Sequence, residues 1–334
     1  MRWSILLLAI LAVLAAGCGG NDEEAVDDVT QPAATSEEGA TKGVIGVSYP
    51  TVEGPWFTAV LYGMSEEAAE RGYELVIVNA GGYENVDTQV SQMADLVQRE
   101  VDGILTAVAD PEALAPQIQA ASDAGIPVVA AGEEGQNVVA SVSASHCTLG
   151  EEMAEGVKEL LPDGGKIAAL TGPAGAFWTV SRWDCFQAAL EGANIEVVDQ
   201  QWSEPSVDEG LRLAEDILQR NPDLDLFYGV DDTVGVGAAQ AVKQGPGCDS
   251  VQIVTAILGP TAEELLREGC IDYLVAQQTV NIGRDSVATL VEAIEGGSVE
   301  ENVEVPNVVV TPDTIESLDK AGIQPPEGWR PDVR

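Results

Sequence analysis

From residue 43 onward the chain alternates short β-branched runs with amphipathic stretches, and the alternation runs through twice. In the first series Val44–Tyr49, Glu74–Asn79, Gly103–Val108 and Pro127–Ala131 read as strands, with Trp56–Arg71, Asn85–Glu100 and Pro111–Ala124 as the helices between them. Leu75-Val76-Ile77-Val78 is a continuous apolar run, as a parallel strand covered on both faces requires. Val90, Met93, Ala94 and Val97 instead recur at helical spacing. After Val138–Val142 the pattern restarts: Lys166–Leu170, Ile195–Asp199, Leu226–Val230, Val251–Ile257 and Tyr273–Ala276 read as strands. Helices are expected around 147–161, 182–191, 207–220, 234–243, 261–268 and 281–295. Two such series imply an α/β chain with two parallel sheets, each covered by helices on both faces. Ligand positions are then expected beyond the carboxyl ends of the strands, where loops from the two halves face each other. Val303–Val310, broken by Pro306, adds a last extended piece, and the tail from Pro312 reads as irregular surface packing.

The 334 residues suit one two-lobed domain or two ordinary ones, and a 45% hydrophobic content is ample for a core. The first 42 residues stand apart. Arg2 precedes an apolar run from Ile5 to Leu14, too short to span a bilayer but right for an export signal. Ala15-Ala16-Gly17-Cys18 looks like a lipobox, which makes residues 1–18 a lipoprotein signal peptide and Cys18 the lipidated residue. The usual Leu three residues before the cysteine is Ala15 here, so ordinary signal cleavage is the alternative. Residues 19–42, acidic and without apolar periodicity, read as a disordered tether. The expected location is therefore the periplasm or the outer face of the cell membrane.

Four cysteines remain, and an even number in an exported chain permits two disulfides in three connectivities. Cys248 and Cys270 each sit just before an expected strand and are paired on that ground, leaving Cys147 with Cys185. Their spacing suggests no zinc site and His146 is the single histidine, so neither a metal nor a cofactor is expected.

The 56 acids face 15 bases, for a formal charge of −41, and only five lysines occur. Such a polyanion repels phosphate backbones and anionic lipid surfaces, which excludes nucleic acid as a partner. Because the acids are spread along the chain, the charge reads as solubility in a high-salt, halophilic setting. An acidic site for a cationic ligand is the sharper alternative.

Ile45-Gly46-Val47-Ser48, followed by Gly54-Pro55-Trp56-Phe57 and a helix, resembles the first ligand loop of type I periplasmic binding proteins, the ribose-binding-like superfamily. Tyr62-Gly63-Met64, Ala80-Gly81-Gly82-Tyr83, Ala109-Asp110-Pro111, Leu170-Thr171-Gly172-Pro173 and Val197-Val198-Asp199 through Trp202 resemble more closely its TorT-like branch, which senses trimethylamine N-oxide (TMAO). The resemblance implies a two-lobed periplasmic-binding-protein-like fold with three crossovers, near Ser141–Ser145, Gln278–Val280 and Glu304–Pro306. The first lobe is then 43–142 plus 280–304, and the second 143–279 plus 305–334.

By the same resemblance Trp56 and Phe57 form one wall of a ligand cleft, and Tyr49 ends the first strand at or beneath it. Asp110 either touches ligand or caps the next helix. In the second lobe Phe177 and Trp178 lie on a loop, Trp202 could close the cage, Asp231 ends a strand, and Gln277 matches a hinge glutamine. Val180 stands where sugar-binding relatives carry an arginine. Gly132-Glu133 replaces their Asp-Arg, and Ala256-Ile257 their Phe-Asp. The remaining aromatic and acidic set favours a methylated amine such as TMAO through cation–π contact.

The implied function is a lipid-anchored, monomeric solute-binding protein that closes on a small molecule and delivers it to an ABC permease. The alternative partner is a membrane sensor histidine kinase. No Gly-x-Ser-x-Gly elbow, phosphate loop or His-Glu-x-x-His is present, and Gly235-Val236-Gly237 reads as helix packing, so an enzyme is not expected. A repressor of the same fold would need a basic helix-turn-helix where this chain has a signal and an acidic tether.

Overall fold

The computed structural model describes residues 41–333. The expected signal peptide, Cys18 and nearly all of the tether lie outside the described residues. The first sheet has strand order β11-β5-β4-β3-β1-β2, from β1 (Gly43–Tyr49), β2 (Tyr73–Asn79), β3 (Gly103–Thr106), β4 (Val128–Ala131), β5 (Ala140–Ser143) and β11 (Asn302–Glu304). All its pairings are parallel. The second has order β12-β10-β9-β8-β6-β7, from β6 (Gly165–Leu170), β7 (Ile195–Gln201), β8 (Leu226–Gly229), β9 (Gln252–Ala256), β10 (Tyr273–Gln277) and β12 (Asn307–Val310). It departs from the all-parallel expectation at one edge, where β12 runs antiparallel to β10.

Apolar alternation explains how the strands are covered. Ile45, Val47 and Tyr49 of β1, with Leu75 and Ile77 of β2, belong to one core, and Val44, Val76 and Val78 belong to the core on the other face. The first core is closed by α1 (Pro55–Arg71) and α9 (Thr279–Ile294), through residues such as Val60, Leu61, Val287 and Leu290. The second is closed by α2 (Val86–Gln98) and α3 (Pro111–Asp123), through Met93, Leu96, Leu114 and Ile118. In the second lobe α4 (His146–Leu160), α5 (Phe177–Ala189), α6 (Val207–Arg220), α7 (Asp232–Gln244) and α8 (Pro260–Arg267) cover their sheet around a single continuous core. Gly235 and Gly237 lie within α7, facing Thr255 of β9 and the start of α6.

The chain crosses between lobes from β5 to α4, from β10 to α9, and from β11 to β12. The last crossing splits Val303–Val310 at Pro306, which cannot donate a ladder hydrogen bond, so its halves join different sheets. Two disulfides, Cys147–Cys185 and Cys248–Cys270, lie in the second lobe, the first joining α4 to α5.

Two expectations need correcting. Helix α5 begins at Phe177 rather than 182, so Phe177 and Trp178 form its first turn and not a loop. The Phe-Trp-Thr-Val run has weak helix propensity. Tertiary contacts override it: Thr179 Oγ1 donates to Pro173 O and Ala176 O, at 2.8 and 2.9 Å. The tail, assigned wholly to the second lobe, straddles both. Ile315 and Ile323 belong to the second-lobe core, while Trp329 packs on the first-lobe core, edge-on to Tyr62 at 5.3 Å. Val333 then forms a parallel bridge with Ile77 on the edge strand β2. Between these points Thr279 Oγ1 donates to Ile323 O and Gln324 Nε2 to Leu258 O, at 2.7 and 2.9 Å.

Trp329 is half-buried, so Trp329→Ala removes the Tyr62 contact and part of an apolar side chain from water-free packing. It should destabilise the fold by about 1–2 kcal/mol, below the full cost of a buried Trp truncation. Calorimetry should show a lower melting temperature with an unchanged far-UV circular dichroism spectrum.

Candidate functional site

Between the lobes lies a cleft of about 440 Å³. Its walls are loops that leave the carboxyl ends of strands, from Trp56 and Phe57 after β1 to Ile257 after β9, with Gln277 ending β10. Parallel strands put these loops on one edge of each sheet, and the two edges face each other.

The first-lobe wall is aromatic. Trp56 occupies the second position of α1, after Pro55 at a first-turn position where a missing N–H costs nothing. Its Nε1–H donates to Gln277 Oε1 at 2.9 Å, and its ring packs against the cores of both lobes. Gly132, at φ +100°, makes room for it: a Cβ there would stand 2.2 Å from the indole ring. Phe57 packs edge-on against Trp56 at 5.0 Å. On the same side Glu133 Oε1 accepts from the Val108 N–H. Burial, only partly offset by that bond, pushes its carboxyl up to about 7.

The second-lobe wall is polar. Arg182 is 4% exposed, donates from Nη1 to Val230 O at 2.9 Å, and places its guanidinium 4.9 Å from the centre of the Trp178 ring. Burial works against its charge, opposed by Tyr228, Asp231 and Asp232. Asp231 caps α7, accepting from Val234 N–H at 3.1 Å and Thr233 Oγ1 at 2.8 Å. Asp232 beside it is pushed well above the usual carboxylate range by burial and by the Asp231 charge. His146 opens α4; burial, then Arg182, pushes it down to about 3, so its imidazole is neutral. Arg182 Nε and His146 Nδ1 are buried without a hydrogen-bond partner, so each has capacity left for a ligand atom. The Cys147–Cys185 bridge lies one residue from His146 and three from Arg182, and fixes the helices that carry them.

Of the nine residues expected at the ligand, Trp56, Phe57, Trp178, Asp231 and Gln277 line the cleft. The other four do not. Tyr49 lies beneath the wall, fully buried, its hydroxyl donating to Ala131 O at 2.9 Å and its ring supporting Phe57. Asp110 caps α3, with Oδ1 accepting from the N–H groups of Glu112 and Ala113. Phe177, 63% exposed and edge-on to His146 at 6.3 Å, and Trp202, 40% exposed, are not part of the cavity lining. Sequence reasoning missed Arg182, having looked for an arginine at Val180 and found none. The signal was present, since Arg182 is the sole base between Lys166 and Arg212 and stands four residues from both Trp178 and Phe186, on the apolar face of α5. In the sequence Glu133 stands out only as the place where sugar-binding relatives carry Asp-Arg, and Asp232 only as the neighbour of Asp231 at a strand end.

Residues 45–298 match the family described as "Periplasmic binding protein domain", and the chain belongs to that family. It is 28% identical over 264 residues to the ribose import binding protein RbsB of Bacillus subtilis strain 168, covering 78% of this chain and 85% of that protein. It is 25% identical over 287 residues to the periplasmic protein TorT of Escherichia coli K12, covering 85% and 82%. Among solved structures, an ABC transporter solute-binding protein from Bacillus halodurans C-125 with bound myo-inositol superposes with a TM-score of 0.76. It is 28% identical, with 84% of this chain and 98% of that one covered. The ribose import binding protein and the inositol-bound solute-binding protein are, by name, binding proteins of transporters and not enzymes.

The raised Glu133 carboxyl links stability to pH. Its folded-state value lies above the ordinary 4.5, so its contribution is present in full below about 4.5 and is lost as pH rises through about 7. Glu133→Gln should therefore melt higher than the parent at pH 8, with the difference vanishing near pH 4.5, as followed by thermal unfolding across that range.

Proposed function

We propose that this protein is an extracytoplasmic solute-binding protein that captures a neutral polyhydroxylated molecule, of monosaccharide or cyclic-polyol size, and presents it to an ABC permease. The observation that carries the reading is the meeting of aromatic rings, Trp56 and Phe57 from the first lobe and Trp178 from the second, with the polar second-lobe groups Arg182, Asp231, Asp232 and Gln277. Aromatic faces stack on the apolar face of a sugar ring, while carboxyls, amide and guanidinium bond its hydroxyls. The size of the cleft falls at the small end of ligand pockets. The similarity to ribose import binding proteins and to the inositol-bound structure points the same way.

Charge supports a ligand of no net charge over a free organic cation; TMAO is itself a net-neutral dipole, so the thermal-shift comparison below is what separates it from a polyol. Burial drives Glu133 and Asp232 toward their protonated forms, and a free cation in this cleft would meet the Arg182 guanidinium. The TorT similarity keeps TMAO, and with it a sensor kinase as partner, as the second reading. Closure is the mechanism in both: ligand bridges the two walls, stabilises the closed state, and a membrane partner reads it. Lipidation at Cys18 and a monomeric state belong to the same proposal.

Thermal-shift screening of the purified protein should separate the readings, since a ligand specific for the native state raises the melting temperature with ln(1 + [L]/Kd). Pentoses, hexoses and inositols are expected to give the shifts, and Trp56→Ala to weaken the best of them by about 10- to 100-fold, roughly 1.4–2.8 kcal/mol. Shifts with TMAO or betaine alone would replace the polyol reading with the sensing one.

A further inference from the structure

Ile257 holds a backbone conformation its side chain disfavours. Its φ is +68°, in the left-handed region, where a β-branched residue crowds its own backbone. Among the described residues the other non-glycine positions with positive φ are Glu100 and Asn137, both exposed, whereas Ile257 is 6% exposed. The backbone around it is fixed. Its N–H donates to Val275 O at 3.0 Å; Leu258 is buried in the second-lobe core; and Gly259 opens α8 while lying against Asp232 and Pro55. Glycine or asparagine would make the same turn without the strain. What isoleucine adds is its side chain.

That side chain lies on a partition. Ile257 belongs to the second-lobe core and on one side lines the ligand cleft, whose lining also includes Asp232 and Gln277. On the other it lines a second cavity of about 700 Å³, bounded by Pro55, Leu258 and the tail residues Gln324 and Trp329. Around it the second-lobe wall offers a guanidinium, two carboxyls and an amide, and at Ile257 it offers only methyl and methylene groups. A ligand hydroxyl pressed against it would leave water and gain no partner there, while a bare carbon would lose nothing.

We propose that Ile257 is the specificity-determining residue of the cleft and selects a deoxy sugar or deoxy polyol over its fully hydroxylated counterpart. This rests on the polyhydroxylated-ligand reading above. Backbone strain is retained at this one buried position because the apolar patch it creates faces the ligand.

The test is isothermal titration of the purified protein, and of its Ile257→Asn and Ile257→Gly variants, with sugar pairs that differ by one hydroxyl. The pairs are D-fucose and D-galactose, L-rhamnose and L-mannose, and 2-deoxy-D-ribose and D-ribose. In the parent the deoxy member of the pair that binds is expected to bind at least about tenfold more tightly. Ile257→Asn suits the left-handed turn and supplies a donor and an acceptor, and should erase or reverse that ratio. Ile257→Gly, which keeps the turn and removes the methyl groups, should reduce it. Equal affinity for both members in the parent, or a ratio unchanged in both variants, would overturn the inference while leaving the polyol reading standing. Equal weakening of both members in both variants would make Ile257 a seal between the cavities and overturn it likewise. Failure of every pair to bind would remove the polyol reading, and this inference with it.

Discussion

A parallel strand has to be covered on both faces, and its chain has to return over one of them before the next strand can begin. Every connection that leads out of a strand therefore starts from the same edge of the sheet. In this protein two such sheets turn those edges toward each other, and the ligand cleft is the space between. The aromatic wall after β1 and the polar wall after β6, β8 and β10 are placed by that constraint before any side chain has a say. Side chains then refine it, as Trp56 does in reaching from the first lobe to the Gln277 amide at the end of a second-lobe strand.

Among the described residues, few of the acids line this space. Ion pairs such as Arg71–Glu67, Arg220–Asp199 and Arg284–Glu66 join partly or largely exposed side chains, whereas the cleft holds a buried arginine and two carboxyls pushed toward neutrality. Pairs of that exposed kind contribute little to stability. Four acids, Glu53, Glu133, Asp231 and Asp232, line the cleft with Arg182, and burial pushes two of them, Glu133 and Asp232, toward their protonated forms.

The periodicities that made the architecture legible, continuous apolar runs for strands and a 3.6-residue spacing for helices, are the ones buried against the two cores. Individual site residues were legible where position alone decides, as for Trp56 at a helix start or Gln277 at a strand end. They were not legible where the direction of a side chain decides. Tyr49 and Phe57 are both aromatics near the end of β1, yet alternation sends the first into the core and the helix start sends the second to the cleft. Asp110 and Asp231 both cap helices, and only the second also borders the cavity. The left-handed turn at Ile257 leaves no trace in composition or spacing, since the residue type is the opposite of what such a turn prefers.

The bridge between Val333 and Ile77 puts the end of the described chain on the strand next to β1, where the fold begins. The second lobe is thus, in connectivity, built from two excursions out of the first, α4 to β10 and β12 to Ile323. The last described residues and the first strand lie on the same lobe, two strands of one sheet apart at most. A reporter attached beside Val333 and one placed in a second-lobe loop therefore sit on different lobes, and the distance between them would read the angle of the cleft.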